Sequence, residues 1–288
     1  MADGPLRCDV SAGVADVVID HPPTNLVDGP FIGALIGLMA ELEADDAARV
    51  VVFRSVDPDF FLMHGDVHGI LAIPPGAHEP ATEPNVAAAL FERLHRSRLV
   101  SIGVVDGAAR GGGAEFLAAL DLRFGSERAL LGQPEVAMGI LPGAGGTARL
   151  PHLLGRSRAL EVILSGRDVG AEEAVRIGWL DAVHPRAELG GIVRALATRI
   201  AAMPPASVAA VKRVIERTLV SFDDALVAET DAFGALTAGG LHIVRMERFL
   251  DAGGQTREAE TTDWDALLDA MDDESSEVRA RLRRGERM

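Results

Sequence analysis

The chain's 288 residues, 48% of them hydrophobic, are enough for one large domain, or a core with a smaller appendage, that folds alone. A formal net charge of −15 argues against nucleic acid and anionic lipid as partners, and with Lys212 the single lysine, any phosphate contact falls to arginines or backbone amides. The lone Cys8 excludes an intrachain disulfide and a cysteine-based zinc site; with no basic-then-apolar leader and no run near the roughly 18 apolar residues of a membrane span, a soluble cytoplasmic protein is expected.

In chain order, Val14 to Ile19 and Val50 to Phe53 are β-branched runs of strand length. Between them Phe31, Leu35, Leu38, Met39 and Leu42 recur at helical spacing, with Asp28 placed to cap that helix and Pro30 in its first turn, so the segment reads as a βαβ unit. An apolar run, Phe60 to Met63, then turns abruptly at Gly65 into a short helical pattern. Pro74 to Pro84 reads as a surface loop. Asn85 to Arg96 reads as a helix feeding a strand from Val100 to Val105. Past the centre of the chain, helices are expected over Gly155 to Leu164, Ala171 to Ile177 and Ala187 to Met203, with a short strand from Trp179 to Val183. From Pro204 onward the pattern is helical alone, which suggests a boundary near residue 200 between a core (1–200) and a C-terminal helical region (201–288). In the latter, Trp264, Leu267, Leu268 and Met271 share one helix face, and the stretch from Asp272 to Met288 is charged.

The chemistry concentrates between Gly107 and Gly146. Three glycines, Gly111 to Gly113, precede a helix-like apolar run that carries Glu115; Glu135 follows Pro134; a second cluster contains Gly143, Gly145 and Gly146. Glycine turns let backbone N–H groups approach a ligand, and two carboxylates can handle two protons in one reaction if burial raises at least one pKa. Gly65 and Gly112 are candidate oxyanion donors. His64, Asp66 and His68 in HGDVH offer two imidazoles and a carboxylate, but no third cluster completes a metal set, so no metal is expected. Gly143, Gly145 and Ala148 fit a relaxed dinucleotide pattern with Glu161 downstream. The β-branched strand that pattern requires is missing, and a structural turn is expected instead.

From Gly107 to Pro185 the motifs, beginning GGGAEFLAALDLRFGSERALLGQPEVAMGILPGAGG, closely resemble the enoyl-CoA hydratase/isomerase family, also called the crotonase superfamily; weaker likeness spans about residues 10 to 220. The resemblance implies an α/β fold, a crotonase-like spiral of ββα units followed by C-terminal helices that form trimers or dimers of trimers. It implies an acyl-CoA thioester as substrate, with coenzyme A part of that substrate and no separate cofactor. It also implies Gly65 and Gly112 amides on the thioester oxygen, and a loop of Gly65, Asp66, Val67 and His68 touching the CoA portion. Family members that hydrate 2-enoyl-CoA carry glutamate at both acidic positions, here Glu115 and Glu135. That pair favours hydration over isomerisation, decarboxylation, thioester hydrolysis or a binding-only role. Two departures stand out: Met63 and His64 occupy places where hydratases usually have small residues, and Met246-Glu247-Arg248 replaces the family's Glu-Lys-Arg run, leaving Arg248 as a candidate CoA contact.

Overall fold

The computed structural model describes residues 4–76, 78–216 and 222–272. The strands form two sheets. The larger has the order β1-β2-β3-β5-β7-β10, formed by β1 (Leu6–Ser11), β2 (Val14–Ile19), β3 (Val50–Ser55), β5 (Val100–Val105), β7 (Leu122–Gly125) and β10 (Ala182–Val183). The smaller has the order β4-β6-β8-β9, formed by β4 (Phe60–Leu62), β6 (Ala108–Arg110), β8 (Leu130–Gly132) and β9 (Val169–Gly170). From β3 to β8 successive strands alternate between the sheets, so β3-β4, β5-β6 and β7-β8 each climb from the large sheet to the small one before a helix returns the chain. All pairings among these six strands are parallel. This is the expected spiral of ββα units.

The expected βαβ unit is present: β2 and β3 pair in parallel around α1 (Gly29–Ala44), whose buried residues are Phe31, Leu35, Leu38, Met39 and Leu42. Asp28 caps it by accepting from Phe31 N. The next helices are α2 (Val67–Leu71) and α3 (Val86–Arg96), the latter capped by Asn85, with the Pro74–Pro84 stretch between them free of regular structure where described. After β6 comes α4 (Gly112–Ala119), then α5 (Gly146–Leu154), α6 (Arg156–Ser165), α7 (Ala171–Ile177) and α8 (Arg186–Ala201). Several elements lie outside the sequence reading, among them the short strands β6 to β9 and helix α5. An antiparallel edge strand, β1, precedes β2, and the expected strand from Trp179 pairs at Ala182 and Val183 alone, while Trp179 and Leu180 are buried in the turn before it.

Beyond residue 204 the described elements are all helical: α9 (Pro205–Glu216), α10 (Phe222–Ala238), α11 (Leu241–Asp251), α12 (Arg257–Thr262) and α13 (Trp264–Asp272). The charged tail after Asp272 lies outside the described residues. These helices fold back on the core. Met246, Phe249, Trp264, Leu267 and Met271 bury against Val67, Met138 and Ile140. The centre of the spiral is held by Phe116 on α4, whose ring meets Phe31, Phe53 and Phe91 at centroid distances of 5.9, 5.0 and 5.3 Å, all near edge-on. Edge-to-face contacts of this kind fix ring orientation as well as burying area. The residue before Phe116 is Glu115.

Candidate active site

Helix α4 is buried along its whole length, and its first turn lies tight against β4. A Cβ on Gly113 would stand 1.8 Å from the Leu62 carbonyl oxygen, and Gly111 has φ +53°, with an added Cβ 2.8 Å from Glu135 Oε1. The glycine triplet is therefore dictated by the close approach of three segments, the β4 end, the α4 start and the loop after β8. Gly112 and Gly65 come side by side there: a Cβ on Gly112 would lie 3.4 Å from Gly65 N. Neither amide donates to an acceptor among the described residues, although the carbonyl of the preceding His64 accepts from Val27 N at 3.1 Å. Two free N–H groups so placed can receive one developing oxyanion.

Glu115, 3% exposed, spends one oxygen on structure. Its Oε1 accepts from Ala144 N at 2.7 Å and Gly146 N at 2.8 Å, which leaves Oε2 for a water or substrate. Burial pushes its pKa up to about 7, against the Gly146 and Ala144 amides and the Arg149 charge, all of which favour the carboxylate. Glu135, 8% exposed, has no such support from the glycine turn. Burial, and then the charges of Glu115 and Glu229, hold it well above the ordinary carboxylate range. The Gln133 amide nitrogen, turned toward it, donates to Oε2 at 3.0 Å. The environments thus separate two similar side chains into a more readily ionised Glu115 and a Glu135 that holds its proton more tightly.

Both glutamates, both glycines and His64 line one cavity of about 480 Å3, whose remaining wall is largely apolar: Val27, Val67, Ile70, Met138, Ile140 and Leu141 from the core, and Phe233 from α10. Of the other site residues expected from the sequence, Val67 is in the wall. Asp66 caps α2 by accepting from His68 N and Gly69 N, and His68 is exposed. Arg248 is not a wall residue. Its guanidinium donates to the Met271 carbonyl at 3.4 Å, which sets it on the seam between α11 and α13. Gly143 to Gly145 form the expected turn, which runs into α5 at Gly146, and Glu161 pairs with Arg167 at 2.7 Å instead of facing a ligand.

The enoyl-CoA hydratase/isomerase family model matches residues 9–238. The chain belongs to the enoyl-CoA hydratase/isomerase family. Among curated relatives, it is 31% identical to the "Short-chain-enoyl-CoA hydratase" of Clostridium acetobutylicum, over 77% of this chain and 85% of that one. It is 32% identical to the "Probable enoyl-CoA hydratase 2, mitochondrial" of Arabidopsis thaliana, over 71% of this chain and 68% of the relative. Among solved structures, a "putative enoyl-CoA hydratase" from Streptomyces avermitilis is 35% identical, covers 94% of this chain and 99% of its own, and superposes with a TM-score of 0.84.

The sequence reading of this family member missed a third buried carboxylate. Glu229, 4% exposed on α10, accepts from Gly145, Thr147 and Ala148 N, so the five successive amides from Ala144 to Ala148 are shared between Glu115, which takes two, and Glu229, which takes three. Burial and the Glu115 charge push Glu229 up to about 8, against those three amides. Its one sequence signal is a glycine-rich run of N–H donors, more of them than one carboxylate can receive.

Proposed function

We propose that this protein is an enoyl-CoA hydratase, adding water across the double bond of a 2-enoyl-CoA thioester. The observation that carries the reading is the joint presence, in one largely apolar cavity, of two unengaged amides and two buried glutamates with unequal proton affinities. The thioester oxygen accepts from Gly65 N and Gly112 N. Glu115, as carboxylate, takes a proton from water while the water oxygen bonds to Cβ and the C=C pair moves toward the thioester oxygen. Glu135 then gives its proton to Cα, and between turnovers Glu115 releases the proton it took and Glu135 regains one, which restores the starting state. The water's hydrogens and oxygen are all accounted for, no electron leaves the substrate, and the chemistry needs no metal or redox group. Because the two carboxyls are coupled, their titration belongs to the pair.

Asp66, Val67 and His68, following Gly65, form the loop assigned to the CoA portion. The C-terminal helical region is assigned to a homotrimer or a pair of trimers. Exposed Val211 on α9 and Leu236 on α10 support a contact between copies. A cytoplasmic location completes the reading; among the described residues no helix is long and apolar enough to cross a membrane. The test is the loss of conjugated-thioester absorbance when the protein meets crotonyl-CoA and longer 2-enoyl-CoAs, with Glu135→Gln alongside. Loss with wild type and not with the variant supports hydration. No loss on any enoyl-CoA, with CoA still bound in calorimetry, removes it.

A further inference from the structure

His64 stands where the family resemblance implies a small residue, and its partner lies 196 positions away, beyond the span matched by the family model. The imidazole is 4% exposed, with Nε2 2.8 Å from Glu260 Oε1 and Nδ1 3.1 Å from the Gly65 carbonyl oxygen. Both ring nitrogens therefore face acceptors. A neutral imidazole has one N–H and would turn a lone pair on one of them, whereas the imidazolium donates to both. Glu260, 3% exposed on α12, also accepts from Gln255 N at 2.8 Å, and Gln255 Nε2 donates to the Gly65 carbonyl at 3.4 Å. Phe249 covers the His64 ring edge-on at 5.5 Å.

The effect falls on the peptide that supplies the first oxyanion donor. On one side of Gly65 N–H, the His64 carbonyl is held by Val27 N; on the other, the Gly65 carbonyl is held by the His64 ring and Gln255. The direction of that N–H is thus set from both ends.

We propose that His64 and Glu260 form a buried imidazolium–carboxylate pair through which the C-terminal helix α12 positions the Gly65 amide and places a fixed positive charge beside the oxyanion. Both are positioning residues; neither is assigned a proton transfer. The proposal rests on the hydratase reading for its catalytic consequence, but not for the state of the ring. The charged groups around His64 are Glu260 from α12 and Arg110 from β6, and the titratable Glu135, from the loop after β8, lies nearby. Burial works against the imidazolium and Arg110 opposes it, yet the Glu260 charge and hydrogen bond with the Gly65 carbonyl raise the His64 pKa above its ordinary value. Glu260 is lowered in turn: its burial is outweighed by His64, the Gln255 amide and Arg110. On this account kcat falls as pH rises through the raised His64 pKa, and removing the Glu260 charge moves that fall to lower pH.

The test pairs an activity-free readout with kinetics. Ring-nitrogen NMR of wild-type protein at pH 7 should give the doubly protonated signature for His64; a neutral ring there overturns the proposal whether or not any enoyl-CoA is hydrated. Glu260→Gln keeps an acceptor but not the charge, and should lose that signature. It should lower kcat by about 10- to 100-fold with KM within about threefold, and shift the alkaline limb of kcat to lower pH. Wild-type kcat with an unmoved limb overturns the proposal. Should Glu260→Gln fail to fold, Glu260→Asp retains the charge on a shorter arm and should keep the limb in place while lowering kcat; a limb displaced like that expected for the glutamine variant would overturn the charge assignment.

Discussion

Glu115 and Glu135 are alike in sequence and unlike in surroundings. Glu115 is anchored by two amides and faces Arg149, while Glu135 is buried beside other carboxyls, so the same proton is held less tightly by the first. On the proposed hydratase reading, the working state has Glu115 ionised and Glu135 protonated. Below about pH 7 Glu115 gains a proton and activity falls; at higher pH Glu135 and the His64 imidazolium lose theirs and activity falls again, so kcat/KM against pH should be bell-shaped with its acidic limb near 7. A limb near the ordinary carboxylate value of about 4.5, or no limb at all between pH 5 and 8, would contradict this assignment. Glu115→Gln and Glu135→Gln should each keep the fold and CoA affinity while lowering kcat by about 100-fold or more, measured as crotonyl-CoA turnover. Both glutamates were legible before the structure because they sit in glycine-rich turns beside apolar runs, where a solvated role is hard to accommodate. Glu229 was not: it lies in an ordinary helical pattern on α10, and what makes it functional is a turn 81 to 84 residues earlier in the chain.

At the level of elements, legibility followed how locally each is specified. The β2-α1-β3 unit carries its β-branched strands, helical stripe and Asp28 cap within its own sequence, and was read correctly. Strand β1 pairs with β2 through six residues, yet five of its six side chains are exposed, so it has no apolar run to announce it. Helix α5 begins with glycine, contains Pro151, and has its first amides capped by glutamates from α4 and α10 in place of a local side chain. That shared cap makes a prediction. Glu229→Ala leaves the buried N–H groups of Gly145 and Ala148 unmet, at about 1–3 kcal/mol for each buried group left so, frees that of the exposed Thr147, and loosens the amides that orient Glu115. The variant should melt lower and lose kcat about 10-fold or more with little change in KM. A lower melting temperature with intact kcat would mean that the turn is held well enough by Glu115 alone.

Across the whole molecule, the C-terminal helices are part of the site's construction. Phe233 on α10 enters the cavity wall, and Val67, Met138 and Ile140, themselves wall residues, are backed by Met246, Phe249, Trp264, Leu267 and Met271. Trp264 joins this cluster to Arg110, whose guanidinium lies 4.1 Å from its ring centroid, pairs with Asp168 at 2.6 Å and donates to the Glu260 carbonyl at 3.3 Å. Trp264→Ala should therefore do two things: cost about 3–5 kcal/mol of stability through the cavity it leaves, and lower kcat by disturbing the backing of Met138 and the seat of Glu260. Leu189→Ala is the control. Leu189 is 2% exposed on α8, in a separate cluster with Val50, Val100 and Ile102, and its truncation should cost a comparable 2–5 kcal/mol. With both variants assayed on crotonyl-CoA well below their melting temperatures, Trp264→Ala should lose turnover and Leu189→Ala should keep it. Equal losses would mean that activity tracks global stability, and that helices α11 to α13 contribute weight to the fold without shaping the site.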